Sequence, residues 1–101
     1  MSRSIAIAEL EEVLLLALEA LKQQYGPKGE IPLEEDFYWS IPEEELYTVE
    51  VDPTSLTIGQ LTEDCDMIRR GLQDRILGFH LLKASHLLRY ISHTHSTLDL
   101  F

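Results

Sequence analysis

The chain has 101 residues, 45% of them hydrophobic and 26% charged, with 8 Lys and Arg against 18 Asp and Glu. That length suits a single domain, 1–101, which buries roughly 65% of its unfolded surface and so holds a modest core without disulfides. The composition excludes a disordered tail, a collagenous repeat and a Cys-stapled module, and the formal charge of -10 opposes binding to nucleic acid or anionic lipid.

The first predicted element is a helix near 4–25. Ser4 is placed to cap it, and Gly26-Pro27 to stop it. Leu10, Val13, Leu14, Ala17, Leu18, Leu21 and Tyr25 recur at three- and four-residue steps, and Leu15 and Leu16 widen the apolar sector. The pattern reads as a central core helix, or as one that also forms the seam of a homodimer. Its start imitates a signal peptide, but Glu9, Glu11 and Glu12 interrupt the apolar stretch such a peptide needs. The longest strictly apolar run, 13–18, is far short of the about 20 residues of a membrane span.

Residues 26–56 form an irregular insert broken by Pro27, Pro32, Pro42 and Pro53. Residues 36–41 read as extended, with aromatics on both faces. A single helical turn follows Pro42, and Tyr47, Val49 and Val51 alternate as a short strand does. A hairpin between the aromatic stretch and 47–51 is one arrangement open to this insert. Helical order resumes near 57–72, where Thr57-Ile58-Gly59-Gln60 has capping-box spacing and Ile58, Leu61, Cys65, Ile68 and Leu72 share a face. A last helix near 75–92, capped by Asp74, carries Ile76, Phe79, Ala84, Leu87, Leu88 and Ile91, with a flexible tail over 93–101. The expected fold is therefore all-α: three helices with an aromatic and acidic insert between the first two.

Two stretches are distinctive: Asp36-Phe37-Tyr38-Trp39-Ser40-Ile41-Pro42, and Leu56-Thr57-Ile58-Gly59-Gln60-Leu61-Thr62-Glu63-Asp64. Followed by an apolar terminal helix, they resemble a set of small bacterial proteins without an assigned activity. The likeness covers roughly residues 36–91. It implies a bacterial cytoplasmic protein of helical form and supplies no catalytic residue. Cys65, the only cysteine, permits no intrachain disulfide and fits a reducing cytosol.

Residues able to carry chemistry are few. His80, His86, His93 and His95 fall in the last quarter of the chain. His86 and His93 would share a helix face about 10.5 Å apart along the axis, too far for one metal ion. His93 and His95 converge only if extended, with Asp99 as a third ligand, so they are weak metal candidates. Cys65 sits on an apolar stripe between Asp64 and Asp66, which reads as a buried structural thiol rather than a nucleophile. Glu63, Asp64 and Asp66 lack the spacing of a calcium loop and read as a solvated face. No cofactor site is expected.

Charge is the most informative pattern. Between Gly29 and Ile68 there are twelve carboxylates and no Lys or Arg, whereas residues 69–101 carry a net positive charge. Either these carboxylates simply solvate the protein, some of them reaching Arg69, Arg70, Arg75, Lys83 and Arg89 within the fold, or they form an acidic surface shaped for a basic protein partner. The second reading names Asp36, Tyr38, Trp39, Glu43, Glu44 and Glu45 as partner-binding residues, since Trp and Tyr anchor interfaces. The expected function is non-catalytic protein–protein interaction, in its sharpest form an acidic inhibitor of immunity or antitoxin type. The alternatives are a structural homodimer through the first helix, and a small metal-dependent hydrolase or metal sensor using His86, His93 or His95.

Overall fold

A computed structural model describes residues 3–74 and 77–97, and the side chains of these outside 71–80. The predicted cap at Asp74, together with Arg75, Ile76, Phe79, His80 and Asp99, therefore lies outside the described residues or side chains. The chain divides into a segment ending at Pro32 and a unit spanning Leu33–Ser96.

The first segment holds helix α1, Ile7–Tyr25. It begins later than Ser4 would have it: Ala6 is the N-cap and makes no side-chain cap bond, its carbonyl accepting from Glu9 and Leu10 N–H instead. The stop is as expected. Gly26 takes φ 87° and its N–H donates to the Lys22 carbonyl at 2.7 Å, the left-handed cap that glycine adopts without a Cβ penalty. Leu21 is buried, but Leu10, Val13, Leu14, Leu15 and Leu18 are exposed, a pattern unlike that of an enclosed core helix.

The unit Leu33–Ser96 contains strand β1 (Phe37–Ser40), helix α2 (Glu43–Leu46), strand β2 (Thr57–Gln60), helix α3 (Leu61–Asp74) and helix α4 (Leu77–Thr94). This corrects the all-α, three-helix expectation. Four helices and a two-stranded antiparallel sheet occur among the described residues, a mixed α/β arrangement. Phe37 pairs with Gln60, Tyr38 with Gly59, Trp39 with Ile58 and Ser40 with Thr57. The two distinctive sequence stretches are thus the two strands of one ribbon.

The misreading has a physical cause. Thr57 to Gln60 has the spacing of a helix start, but Thr57 and Ile58 are β-branched and favour a pleated surface. Their backbone groups find partners in β1, and Thr57 Oγ1 donates to the Ser40 carbonyl at 3.2 Å. Helix α3 is capped from the other strand instead. Asp36 Oδ1 accepts from Thr62 N–H at 2.9 Å and from Thr62 Oγ1 at 2.7 Å, and the Asp36 carbonyl accepts from Leu61 N–H at 2.7 Å. Asp36 is a remote N-cap, also favoured by the helix dipole. The strand expected at 47–51 is a run of turns with Tyr47, Val49 and Val51 exposed, so the hairpin to that segment does not form.

Helix α3 packs chiefly on α4, and the ribbon joins them at the N-terminus of α3. An isolated ribbon is marginal in water, so this support is what lets four-residue strands persist. Among the described residues, no helix is long and apolar enough to cross a membrane.

Candidate functional site

Strand alternation sorts the aromatic stretch. Phe37 and Trp39 are 66% and 68% exposed, and Ile58, opposite Trp39, is 64% exposed. Tyr38 and Ser40 face the other way and are half-buried. The aromatics thus lie on both faces of the strand, as the sequence suggests, with Tyr38 alone of the three turned inward.

Tyr38 is held inward by a polar cluster. Its hydroxyl donates to Asp64 Oδ2 at 2.5 Å and lies 2.7 Å from His86 Nδ1. His86 Nδ1 is in turn 3.2 Å from Asp64 Oδ2, and Lys83 Nζ is 3.3 Å from Asp64 Oδ1. The single phenolic proton is spent on Asp64, and a bare ring nitrogen would repel that carboxylate. His86 therefore carries its proton on Nδ1 and donates it into the cluster. Asp64 is only 2% exposed; three donors, one of them the Lys83 cation, replace the water it has lost. Burial, then the hydrogen bond and charge of Asp64, push the Tyr38 phenol well above its ordinary range, while Arg89 pulls it down. Gly59 makes room for the ring: a Cβ there would stand 2.2 Å from Tyr38 Cζ.

Helix α4 presents this chemistry along one face. Lys83, His86, Tyr90 and His93 follow at steps of three and four. Tyr90 Oη accepts from the backbone N–H groups of Glu34 and Glu35 at 3.0 and 3.2 Å, tying the start of the unit to the helix. Beside them opens a cavity of about 180 Å³. The ribbon residues Phe37, Tyr38 and Trp39 line it together with Leu61 of α3. Helix α4 completes the wall with His86, Arg89, Tyr90 and His93.

The candidates from sequence divide. Asp36 is the α3 cap, and its bonds from Gln60 Nε2 and from Thr62 hold its carboxyl below the ordinary value. Glu45 turns into its own loop: Oε1 accepts from Thr54 Oγ1 at 2.6 Å and from Thr54 N–H at 3.2 Å, which lowers its pKa. Glu43 and Glu44 are exposed. The metal candidates do not converge, because α4 runs to Thr94 and residues 93–95 are not extended. His93 lines the cavity, whereas His95 Nδ1 lies 2.9 Å from the Ile91 carbonyl. Among the described residues, no group of three His, Cys, Asp or Glu is placed to hold a metal ion. Cys65 is half-buried rather than buried.

Sequence reasoning places Asp64 on a solvated face and names His86 only in the alternative metal reading, so neither is expected in this cluster. A signal was present: Asp64 stands three residues after Leu61 and four before Ile68, on the apolar face itself. Comparison with protein-family models, curated proteins and solved structures finds no match to this chain.

Proposed function

We propose that the Leu33–Ser96 unit is a non-catalytic protein-interaction module that docks a basic protein on the outward side of its β1–β2 ribbon. One observation carries this reading: Phe37, Trp39 and Ile58 form an exposed apolar face while Tyr38, between the first two, is pinned inward. Exposed aromatic clusters of this kind mark association surfaces. The chemistry of the partner follows from charge. Of the twelve carboxylates between Gly29 and Ile68, only Asp64 and Asp66 form ion pairs among the described residues, with Lys83 and His86 and with Arg69 respectively. Glu43, Glu44, Glu50 and Asp52 are exposed and make none, so the segment that joins the two strands carries a negative surface charge. The cluster beneath the ribbon supports a non-catalytic role, because its phenol is held protonated and Asp64 is fully engaged by donors. An acidic inhibitor of a basic toxin or nuclease is the specific form that charge and size suggest.

The test is affinity capture from native cytosol with wild type, Trp39→Ala and Glu43→Gln/Glu44→Gln, followed by association kinetics on the captured protein. Trp39 buries about a third of its surface, so Trp39→Ala should cost no more than about 2 kcal/mol in folding, against roughly 3–5 kcal/mol for a core Trp. Its effect should fall on the dissociation rate. The double Gln variant should slow association and flatten its salt dependence. A captured protein that is acidic, or that binds Trp39→Ala as tightly as wild type, overturns the reading.

A further inference from the structure

The cavity beside the ribbon differs in character from the surface around it. Its lining contains no carboxylate, in a chain where carboxylates outnumber Lys and Arg by 18 to 8. Its one formal charge is the guanidinium of Arg89, which has no ion-pair partner among the described residues. Asp64, the carboxylate of the cluster, is engaged by the Tyr38 hydroxyl and His86 and neutralised by Lys83. Tyr90 Oη accepts two backbone N–H bonds, and no bond among the described residues uses its own proton. Among the described residues the Arg89 guanidinium, the Tyr90 phenolic proton and the His93 ring make no bond, and the first two call for an acceptor. The remaining wall is the aromatic and aliphatic surface of Phe37, Tyr38, Trp39 and Leu61, with the ring of His86.

We infer that this cavity binds a small organic anion consisting of one aromatic ring bearing a carboxylate. Size sets the ring: a volume of about 180 Å³ is close to the roughly 150 Å³ of an apolar cavity that accepts benzene, and it falls below the range of drug-sized sites. Planar aromatic walls favour a stacked or edge-on ring. Arg89 matches the carboxylate with paired N–H donors, a geometry that a lysine would not offer. This site adjoins and partly overlaps the face proposed to dock a basic protein. The two share Phe37 and Trp39, but Arg89 and Tyr90 belong to the cavity alone.

Benzoate is the probe, with benzylamine as the match in size and opposite in charge. Each is titrated into the full chain while the fluorescence of Trp39, the sole tryptophan, and backbone amide shifts are recorded. Benzoate should bind saturably and shift the resonances of Leu61, Arg89 and Tyr90, while benzylamine should not. Arg89→Met keeps the length of the side chain and should weaken benzoate by about tenfold to a hundredfold, the range for a charged hydrogen bond. Should that variant fail to fold, Arg89→Gln serves in its place. No saturation by roughly 10 mM benzoate, beyond the millimolar end of the affinity scale, overturns the inference. So does equal binding of benzylamine, or benzoate binding unchanged in the Arg89 variant. Loss of benzoate binding in Arg89→Met with capture of the protein partner retained separates this site from the docking face.

Discussion

Removing one oxygen atom should show whether the inward cluster holds the ribbon. In Tyr38→Phe the ring keeps its place over Gly59, and only the hydroxyl is lost. Asp64, 2% exposed, then retains Lys83 at 3.3 Å and His86 at 3.2 Å but loses its shortest bond, at 2.5 Å. His86 Nδ1–H loses an acceptor at 2.7 Å. A hydrogen bond to a charged group contributes about 1.5–3 kcal/mol, and water cannot replace it here because Asp64 is enclosed. For a unit of 60–100 residues, 1 kcal/mol moves the melting temperature by about 4–8 °C, so the midpoint should fall by roughly 6–24 °C. Trp39 fluorescence is the suitable probe, since the residue sits in the ribbon. Tyr47→Phe is the control: Tyr47 is 81% exposed, and its hydroxyl should count for less than about 0.5 kcal/mol. There is also a pH signature. The folded chain holds the Tyr38 proton more tightly than the unfolded one does. This contribution is therefore complete below pH 10.0, the unperturbed value, and is lost as pH rises through the higher folded value. Wild type should lose stability above about pH 10 more steeply than Tyr38→Phe. Equal melting of Tyr38→Phe and Tyr47→Phe at pH 7 would refute the claim that this hydroxyl fixes the ribbon.

Two further substitutions probe the same framework. Gly59→Ala places a Cβ 2.2 Å from Tyr38 Cζ and should cost roughly 1–3 kcal/mol, opposite in sign to a typical Gly→Ala change at a compatible site. In a Tyr38→Ala background the penalty should vanish, and a double-mutant cycle by denaturant melts reads the difference. Asp36→Ala removes the cap of α3 and should lower stability at neutral pH. Because the folded pKa of Asp36 lies below its ordinary 3.8, the cap's contribution is present above that pH and lost as pH falls through the folded value. Acid melts of wild type and Asp36→Ala should therefore converge at low pH, and a constant gap would contradict the assignment.

The parts that could be read from sequence are those with a local cause. Gly26 stops α1, Pro42 opens a single helical turn, and the apolar period marks α3 and α4 to within a few residues. The parts that could not be read depend on residues distant in sequence. The cap of α3 comes from Asp36, twenty-six positions before Thr62, so the local Thr57–Gln60 spacing had no competitor visible in the chain. The pairing of 37–40 with 57–60 closes a loop across α2, and nothing in either stretch alone favours that partner over the alternating 47–51. The site was obscured for the same reason. Asp64 is acidic and was assigned to solvent by type, although its spacing from Leu61 put it on the buried face.

The exposure of Phe37 and Trp39 follows from the burial of Asp64. A strand turns alternate residues to opposite sides, so a stretch Phe-Tyr-Trp must choose which parity meets the helices. Area alone favours turning two aromatics inward, which would hide Phe37 and Trp39 and expose Tyr38. That choice leaves Asp64 beneath two side chains of which Phe has no donor and Trp has only an indole N–H at a different reach. The inward Tyr38 instead delivers a hydroxyl to both Asp64 and His86. Shifting the register by one residue would lose both bonds at once and place Gly59 under a ring it was not spaced for. The polar cluster thus holds two aromatic side chains in water. A segment shaped only for stability would have an apolar residue at position 64 and would bury Trp39; this one spends its single tryptophan on the surface, which is where a partner can meet it.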